Sequence, residues 1–281
     1  MLTYHGLGVN LRKGLRIGTS GWSYKEDWTG IFYNKSAPMF RQYLDYFDTV
    51  EINSTFYSLP QPAMVKHLSG FTSADVLFTA KIPKKVTHDN KLDVSGEGGK
   101  VLSDFFTLMA PLQKQLGVLL IQLPPWEPSR LADIESFFAS LDRRFRYAVE
   151  FRHEDWLTGH YWQLLEKNNI GYVIVDEPRL PVDLRVTTDF AYIRWHGHGS
   201  RPWYNYRYST EELEGWRPKL GQLLEKTETV LGYFNNHFSG NAPLNALQMI
   251  DLMGLANTRQ KAKLERMQER GSVTQTSLYD F

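Results

Sequence analysis

The sequence predicts an α/β fold, a single (β/α)8 TIM-barrel-like domain, on three observations. Eight short runs rich in Val, Ile, Leu and aromatic residues alternate with amphipathic stretches, as in a parallel sheet covered by helices. The chain has 281 residues, close to the roughly 250 that such a barrel takes. The rival fold, a doubly wound nucleotide-binding sheet, wants a glycine-rich phosphate turn after a strand, and neither GxGxxG nor a P-loop occurs. No linker or internal repeat divides the chain. We therefore expect an N-terminal extension over 1–14, one barrel over 15–256, and a charged C-terminal helix and tail over 257–281.

The elements follow in order. Leu15–Gly18 reads as the first strand, running into Thr19-Ser20-Gly21-Trp22-Ser23-Tyr24. Pro38–Phe47 has helical spacing, with Pro38 in a first-turn position where its missing N–H costs nothing. Thr49–Phe56 is the second strand, and a helix near Gln61–Leu68 leads to the third, Leu77–Ile82. Pro83–Gly99 is polar and ends glycine-rich, so it reads as a long loop, and such loops in compact domains are often functional. A helix over Lys100–Leu116 precedes the most strand-like run, Gly117–Leu123, which Pro124-Pro125 terminates. Leu131–Leu141 is helical, Tyr147–Arg152 is the fifth strand, and Tyr161–Asn168 is helical again. Gly171–Asp176 and Phe190–Gly197 are strands six and seven. A helix over Glu211–Lys226 leads to the eighth strand, Val230–Asn236, and one long helical stretch from Pro243 to Arg270 closes the body.

Composition narrows the function. A net charge of +1 gives no overall attraction to nucleic acid or anionic membrane. No apolar run is long enough for a membrane span, and Met1–Gly14 lacks the apolar stretch of a signal peptide. Zero cysteines exclude disulfides, thiolate nucleophiles and cysteine-ligated zinc. A cytoplasmic protein is the expectation. Aromatic residues make up 14% of the chain, with eight tryptophans, several of them in expected loops.

Five blocks carry a resemblance: Gly18-Thr19-Ser20-Gly21-Trp22-Ser23-Tyr24, Glu51-Ile52-Asn53-Ser54-Thr55-Phe56-Tyr57, Gln122-Leu123-Pro124-Pro125, Glu150-Phe151-Arg152-His153 and Phe234-Asn235-Asn236. In this order, from about residue 15 to 255, they resemble the YecE-like family, a domain of unknown function. The resemblance implies a TIM-barrel variant and supplies no mechanism. That fold has been compared with the endonuclease IV group of metal-dependent DNA-repair barrels. This sequence lacks the histidine-rich set of ligands those enzymes use for three zinc ions.

Strand parity then nominates a site. In TIM barrels chemistry gathers at the C-terminal rim, and side chains of the inward parity point into the mouth. Inward parity gives Glu51 and Asn53, Lys81, Gln122, Glu150 and Arg152, Asp176, Arg194 and His196, with Asn235 or Asn236 completing the ring. A barrel held only by packing would carry aliphatic layers there, because desolvating ion pairs can cost more than their attraction returns. The set therefore predicts an acid–base enzyme, hydrolase-like, acting on a small polar substrate that bears an anionic group or phosphate. Glu150 or Glu51 is the candidate base and Lys81 or His196 the candidate acid. Arg152 and Arg194 are candidates to hold the anion in bidentate fashion, and Asn53, Gln122, Asn235 and Asn236 to donate hydrogen bonds. The sequence leaves the cofactor open, with a divalent metal as the candidate. Glu150, Asp176 and His196 form a candidate set for one divalent metal, and Glu51 with Glu150 is the pair a glycosidase would use.

Aromatic residues follow several strands: Trp22, Tyr24 and Trp28 after the first, Trp126 after the fourth, Trp156 after the fifth, and Trp203, Tyr204 and Tyr206 after the seventh. Single-stranded nucleic acid and sugars both stack on such rings, so a nucleic-acid-binding or metal-assisted, endonuclease IV-like DNA-repair protein is the alternative expectation, with nucleic acid as partner. His196–Trp203 reads as a lid, and His88 as a loop histidine near the site. In the tail, Gln275, Leu278 and Phe281 resemble the peptides with which replication and repair proteins dock on the sliding clamp. A non-catalytic protein working through that tail is the third expectation.

Overall fold

A computed structural model describes residues 13–71, 75–200 and 202–276, with side chains as far as residue 269. Eight strands form one parallel sheet: β1 (Gly14–Thr19), β2 (Thr49–Ile52), β3 (Leu77–Lys81), β4 (Leu116–Gln122), β5 (Tyr147–Glu150), β6 (Gly171–Asp176), β7 (Phe190–Trp195) and β8 (Thr229–Phe234). From β2 to β8 each strand pairs with the next, and β8 pairs in turn with β1. The expected barrel is therefore the observed one, nearly closed.

The remaining seam lies between β1 and β2, which meet through the isolated bridge Ser20–Glu51. A side chain fills the gap. The Tyr43 hydroxyl accepts from the Thr19 N–H at 3.0 Å and donates to the Thr49 carbonyl at 2.9 Å, so one phenol replaces a rung of the ladder and leaves neither backbone group orphaned. Gly18 makes the close approach possible: a Cβ there would lie 2.2 Å from the Thr49 oxygen.

Helices α1 (Lys25–Trp28), α2 (Met39–Leu44), α3 (Ser54–Tyr57), α4 (Pro62–Ser69), α5 (Glu97–Met109), α6 (Ile134–Ala139), α7 (Gly159–Asn168), α8 (Thr210–Lys226), α9 (Asn241–Leu252) and α10 (Thr258–Thr276) cover the outside. The sequence accounts for several limits. Ser209 and Glu212 close a capping box at the start of α8, and Asn169 ends α7 in the left-handed conformation. Three expectations are corrected. The stretch from Pro243 to Arg270 is two helices, because Gly254 turns the chain at φ +72° after α9. The segment Pro83–Gly99 is not all loop, since a π-helical turn occupies Lys85–Asp89 and α5 begins at Glu97. The second strand stops at Ile52, and Asn53 turns the chain into α3. Among the described residues, no helix is long and apolar enough to cross a membrane.

Two cores result. The larger lies between sheet and helices. The smaller runs down the barrel axis and includes Leu77, Val118, Leu120, Ala148, Val173, Val175, Phe190, Tyr192, Leu231 and Tyr233. Towards the C-terminal ends of the strands this column turns polar. The Tyr233 hydroxyl lies 2.7 Å from Thr49 Oγ1, and the Tyr192 hydroxyl donates to Glu51 at 2.7 Å. That gradient puts the site at one end.

Candidate functional site at the barrel mouth

Period-two alternation delivers the charged residues. Glu51 in β2, Lys81 in β3, Gln122 in β4, Glu150 in β5 and Arg194 in β7 close the inner column, while Arg152, His196 and Asn235 follow just past their strands. Arg194 is the hub. Its Nη1 donates to Glu150 Oε2 at 2.6 Å and its Nη2 to Glu51 Oε1 at 2.7 Å, so one guanidinium bridges two carboxylates. The three side chains are at most 1% exposed. Glu51 also accepts from Ser20 Oγ at 2.8 Å and from Tyr192. Glu150 accepts from Arg152 Nε, and Arg152 reaches on to Glu177 Oε2 at 2.9 Å and to His196 Nε2 at 3.1 Å. The Asn235 side-chain amide lies 2.9 Å from the other ring nitrogen of His196.

These contacts set the protonation states. Burial alone would raise the Glu150 carboxyl, but Arg152 and Arg194 outweigh it and hold the group well below the carboxylate range. Burial and then Arg152 push His196 down to about 3, so the imidazole is neutral. Glu177 moves upward, because burial outweighs Arg152. The carboxylates beneath the mouth are thus taken up by Arg152 and Arg194 and are not free for a substrate.

Lys81 differs. It donates to Gln122 Oε1 at 2.8 Å and lies 4.1 Å from the centre of the Phe56 ring. It has no carboxylate within 4 Å among the described residues. Burial first, then repulsion from Arg194, pushes its amine down to about 7, against the weaker pull of Glu51 and Glu150.

Above this layer opens a cavity of about 450 Å³. Lys81, Gln122, Arg194, Asn53 and Asn235 supply its polar lining, and Tyr24, Phe56, Tyr57, Tyr204 and His237 its aromatic wall. Tyr24 and His237 are stacked at 4.3 Å, and Tyr204 continues the stack beyond His237 at 5.5 Å. Two buried polar atoms of lining residues, Arg194 Nε and Asn53 Oδ1, have no hydrogen-bond partner. A second cavity of about 360 Å³ sits at the opposite end of the strands. There Asp48 and Asp75 pair with Arg16, so the cavity gathers no comparable set of donors.

The structure brings together Glu51, Lys81, Glu150, His196, Asn53, Gln122, Arg152, Arg194, Asn235 and Tyr24. Glu51 and Glu150 lie beneath the cavity and do not face it. His88 sits at the margin, edge-on to Phe56 at 5.2 Å, and burial followed by Lys81 pushes its ring down to about 4. Other expectations are corrected. Asp176 faces the helices, accepting from Trp216 Nε1 at 2.8 Å and lying 2.6 Å from His198 Nε2, because Val173 and Val175 hold the inward positions of β6. The metal set Glu150, Asp176 and His196 is therefore not assembled, and no cluster of three such ligands occurs among the described residues. Asn236 turns away to the Tyr206 carbonyl and Asn245. Trp156 is core, stacked on Phe151 at 5.4 Å and donating to the Trp126 carbonyl. Trp22 packs on Phe40, and Trp203 lies under the Arg179 guanidinium. The tail residues Leu278 and Phe281, and the side chain of Gln275, lie outside the described residues, as does Arg201 of the expected lid.

Glu177, Ser20, Tyr192, Phe56, Tyr57 and His237 are members that parity and motif reading did not nominate. Glu177 stands one position beyond Asp176, just past the end of β6, and continues the inward parity of Val173 and Val175. Phe56 and Tyr57 reach the mouth only because the chain turns at Asn53.

Residues 16–269 match the family model described as a protein of unknown function, DUF72. The YunF protein of Bacillus subtilis is 23% identical over 269 residues, covering 85% of this chain and 94% of that protein. The YecE protein of Escherichia coli K12 is 26% identical over 241 residues, covering 76% and 84%. Among solved structures, a DUF72 family protein from Thermotoga maritima superposes with a TM-score of 0.73 at 28% identity, over 85% of this chain and 99% of that one. One from Enterococcus faecalis gives 0.73 at 21% identity, over 87% and 97%.

Proposed function

The chain belongs to the DUF72 family, whose fold it has and whose reaction is unassigned; on that premise we propose that it is an acid–base enzyme acting on a small polar substrate that carries an anionic group. The observation that carries this reading is the division of charge at the mouth. The carboxylates of the layer, Glu51, Glu150 and Glu177, are sealed below against the guanidiniums of Arg194 and Arg152, while Lys81 and Arg194 line the cavity, Lys81 with N–H donors left over and Arg194 with a buried Nε–H that has no partner. A pre-organised floor of donors costs no reorganisation when negative charge arrives or develops. Amide side chains of Asn53, Gln122 and Asn235 add orientation, and the aromatic wall adds a low-dielectric side against which the rest of the substrate packs.

In this reading the acid–base role falls to Lys81. It is the group that lines the cavity, retains unspent protons and titrates near neutrality, where proton transfer is efficient in either direction. Arg194 is the anion clamp, positioned by Glu51 and Glu150, which act through it and not on the substrate.

Calorimetric titration with inorganic phosphate and small carboxylates tests the proposal. Run near pH 7.5 in buffers of different ionisation enthalpy, it should show binding accompanied by uptake of a fraction of a proton, because an arriving anion recharges Lys81. Lys81→Met should abolish that uptake and weaken binding. Absence of any anion binding by the native protein would overturn the reading.

A further inference from the structure

We propose that Lys81 is a nucleophile, forming a Schiff base with an anionic carbonyl compound, either a 2-oxo carboxylate or an oxo-phosphate, seated in the mouth of the barrel. This rests on the anion-site reading above and names the substrate class.

The geometry points to it in three ways. First, Lys81 has no carboxylate partner within 4 Å among the described residues, although two carboxylates lie in the same layer. Both are committed to Arg194, and Glu150 to Arg152 as well. A lysine kept for stability alone would be expected to pair, since an unpaired buried charge is costly. Second, its polar partner, Gln122 Oε1, accepts one N–H and leaves the nitrogen lone pair of the neutral amine unengaged. Third, the amine lies against the Phe56 ring and lines an open cavity, so a substrate can reach it. A cationic neighbour and a desolvated pocket together are what activate an amine as a nucleophile. With the amine pushed down to about 7, the free-base fraction at pH 7 is on the order of a thousandfold that of an ordinary lysine.

The chemistry balances without a further reagent. The neutral amine adds to the carbonyl carbon, the carbonyl oxygen gains a proton and the nitrogen loses one. The carbinolamine then expels its hydroxyl as water. Overall C=O becomes C=N, and the released water carries the carbonyl oxygen and both amine protons. Protonation of the imine by solvent gives an iminium that withdraws electrons from the adjacent carbon, favouring C–H or C–C cleavage there. Arg194, Asn53 and Asn235, which line the same cavity, stand opposite to hold the anionic group.

Reductive trapping decides the matter. The full-length protein is incubated with pyruvate, dihydroxyacetone phosphate or, as a neutral control, acetone. Cyanoborohydride is present, and the adducts are mapped by peptide mass spectrometry. The expected result is a secondary amine at Lys81, rising between pH 6 and 8 and absent with acetone. It should exceed any other lysine by at least about tenfold, a modest share of the thousandfold amine advantage. Which anionic probe labels separates the carboxylate from the phosphate class. In parallel, lactate and glycerol 3-phosphate, which lack the carbonyl, are titrated calorimetrically. If they bind and no selective Lys81 adduct forms, the Schiff-base proposal is overturned while the anion site stands; if nothing binds and nothing is trapped, both fall. Selective labelling of the native protein supports the proposal even should Lys81→Met fail to fold.

Discussion

At the scale of single residues, Arg194 and Lys81 make opposite predictions. Arg194 ties Glu51 to Glu150 in a layer with almost no solvent contact. Removing one partner of a buried network strands the others, at a cost of about 3–5 kcal/mol. Arg194→Met should therefore lower the unfolding free energy measured in urea by that much, and an unchanged value would show that the two carboxylates are not held as described. Lys81 carries the reverse sign: its charged form is disfavoured by burial and by Arg194. Lys81→Met should leave the midpoint at pH 6 unchanged or raised while weakening anion binding, the trade expected of a group kept for chemistry. Both residues were legible in the sequence, because alternation in β3 and β7 separates polar from apolar positions. Asp176 misled for a physical reason. Gly-Tyr-Val-Ile-Val-Asp is apolar on both faces, as buried parallel strands are, so nothing in it marks which parity faces the axis.

At the scale of elements, the seam between β1 and β2 was invisible in the sequence. The expected strands, Leu15–Gly18 and Thr49–Phe56, give no sign that they barely pair, and nothing singles out Tyr43 within the helical stretch Pro38–Phe47. Its hydroxyl satisfies one donor and one acceptor buried between the strands. Tyr43→Phe keeps the ring and orphans both, which costs about 1–3 kcal/mol for each group left unsatisfied. Equilibrium unfolding should show a loss of about 2 kcal/mol or more for the two groups together, and a loss below about 0.5 kcal/mol would mean that water takes the place of the phenol. Helix limits were read to within a few residues where caps were present, as at Ser209. They failed at Gly254, where a single glycine looks tolerable in a helix until its φ of +72° is seen. The aromatic loops gave the least. Composition alone does not separate Tyr24, which lines the cavity, from Trp156, which is core, because both follow a strand end.

Over the whole molecule, the buried layer predicts how stability responds to acid. The folded value of His196, about 3, lies below its ordinary 6.5, and that of Glu150 lies well below 4.5. Both groups bind more protons in the unfolded chain than in the folded one, so the stability they contribute falls as pH drops from about 6.5 towards 3, against the opposite contribution of Glu177, whose carboxyl is raised. Lys81, at about 7 against 10.5, adds a contribution that grows as pH rises between those values. Urea midpoints measured from pH 3.5 to 6.5 should climb steadily, and a flat profile would contradict the buried neutral imidazole.

The phenol at the β1–β2 seam has one more consequence. A cylinder hooped by main-chain ladders on seven sides and latched by a tyrosine on the eighth has a designated place to come undone. Native-state hydrogen exchange should release the amide of Thr19, which the phenol holds, well before those of β4 and β7, and the catch should loosen further when the latch is shortened to phenylalanine. Since Ser20 and Glu51 flank the same joint and both reach Arg194, whatever occupies the cavity rests its weight on the hinge pin.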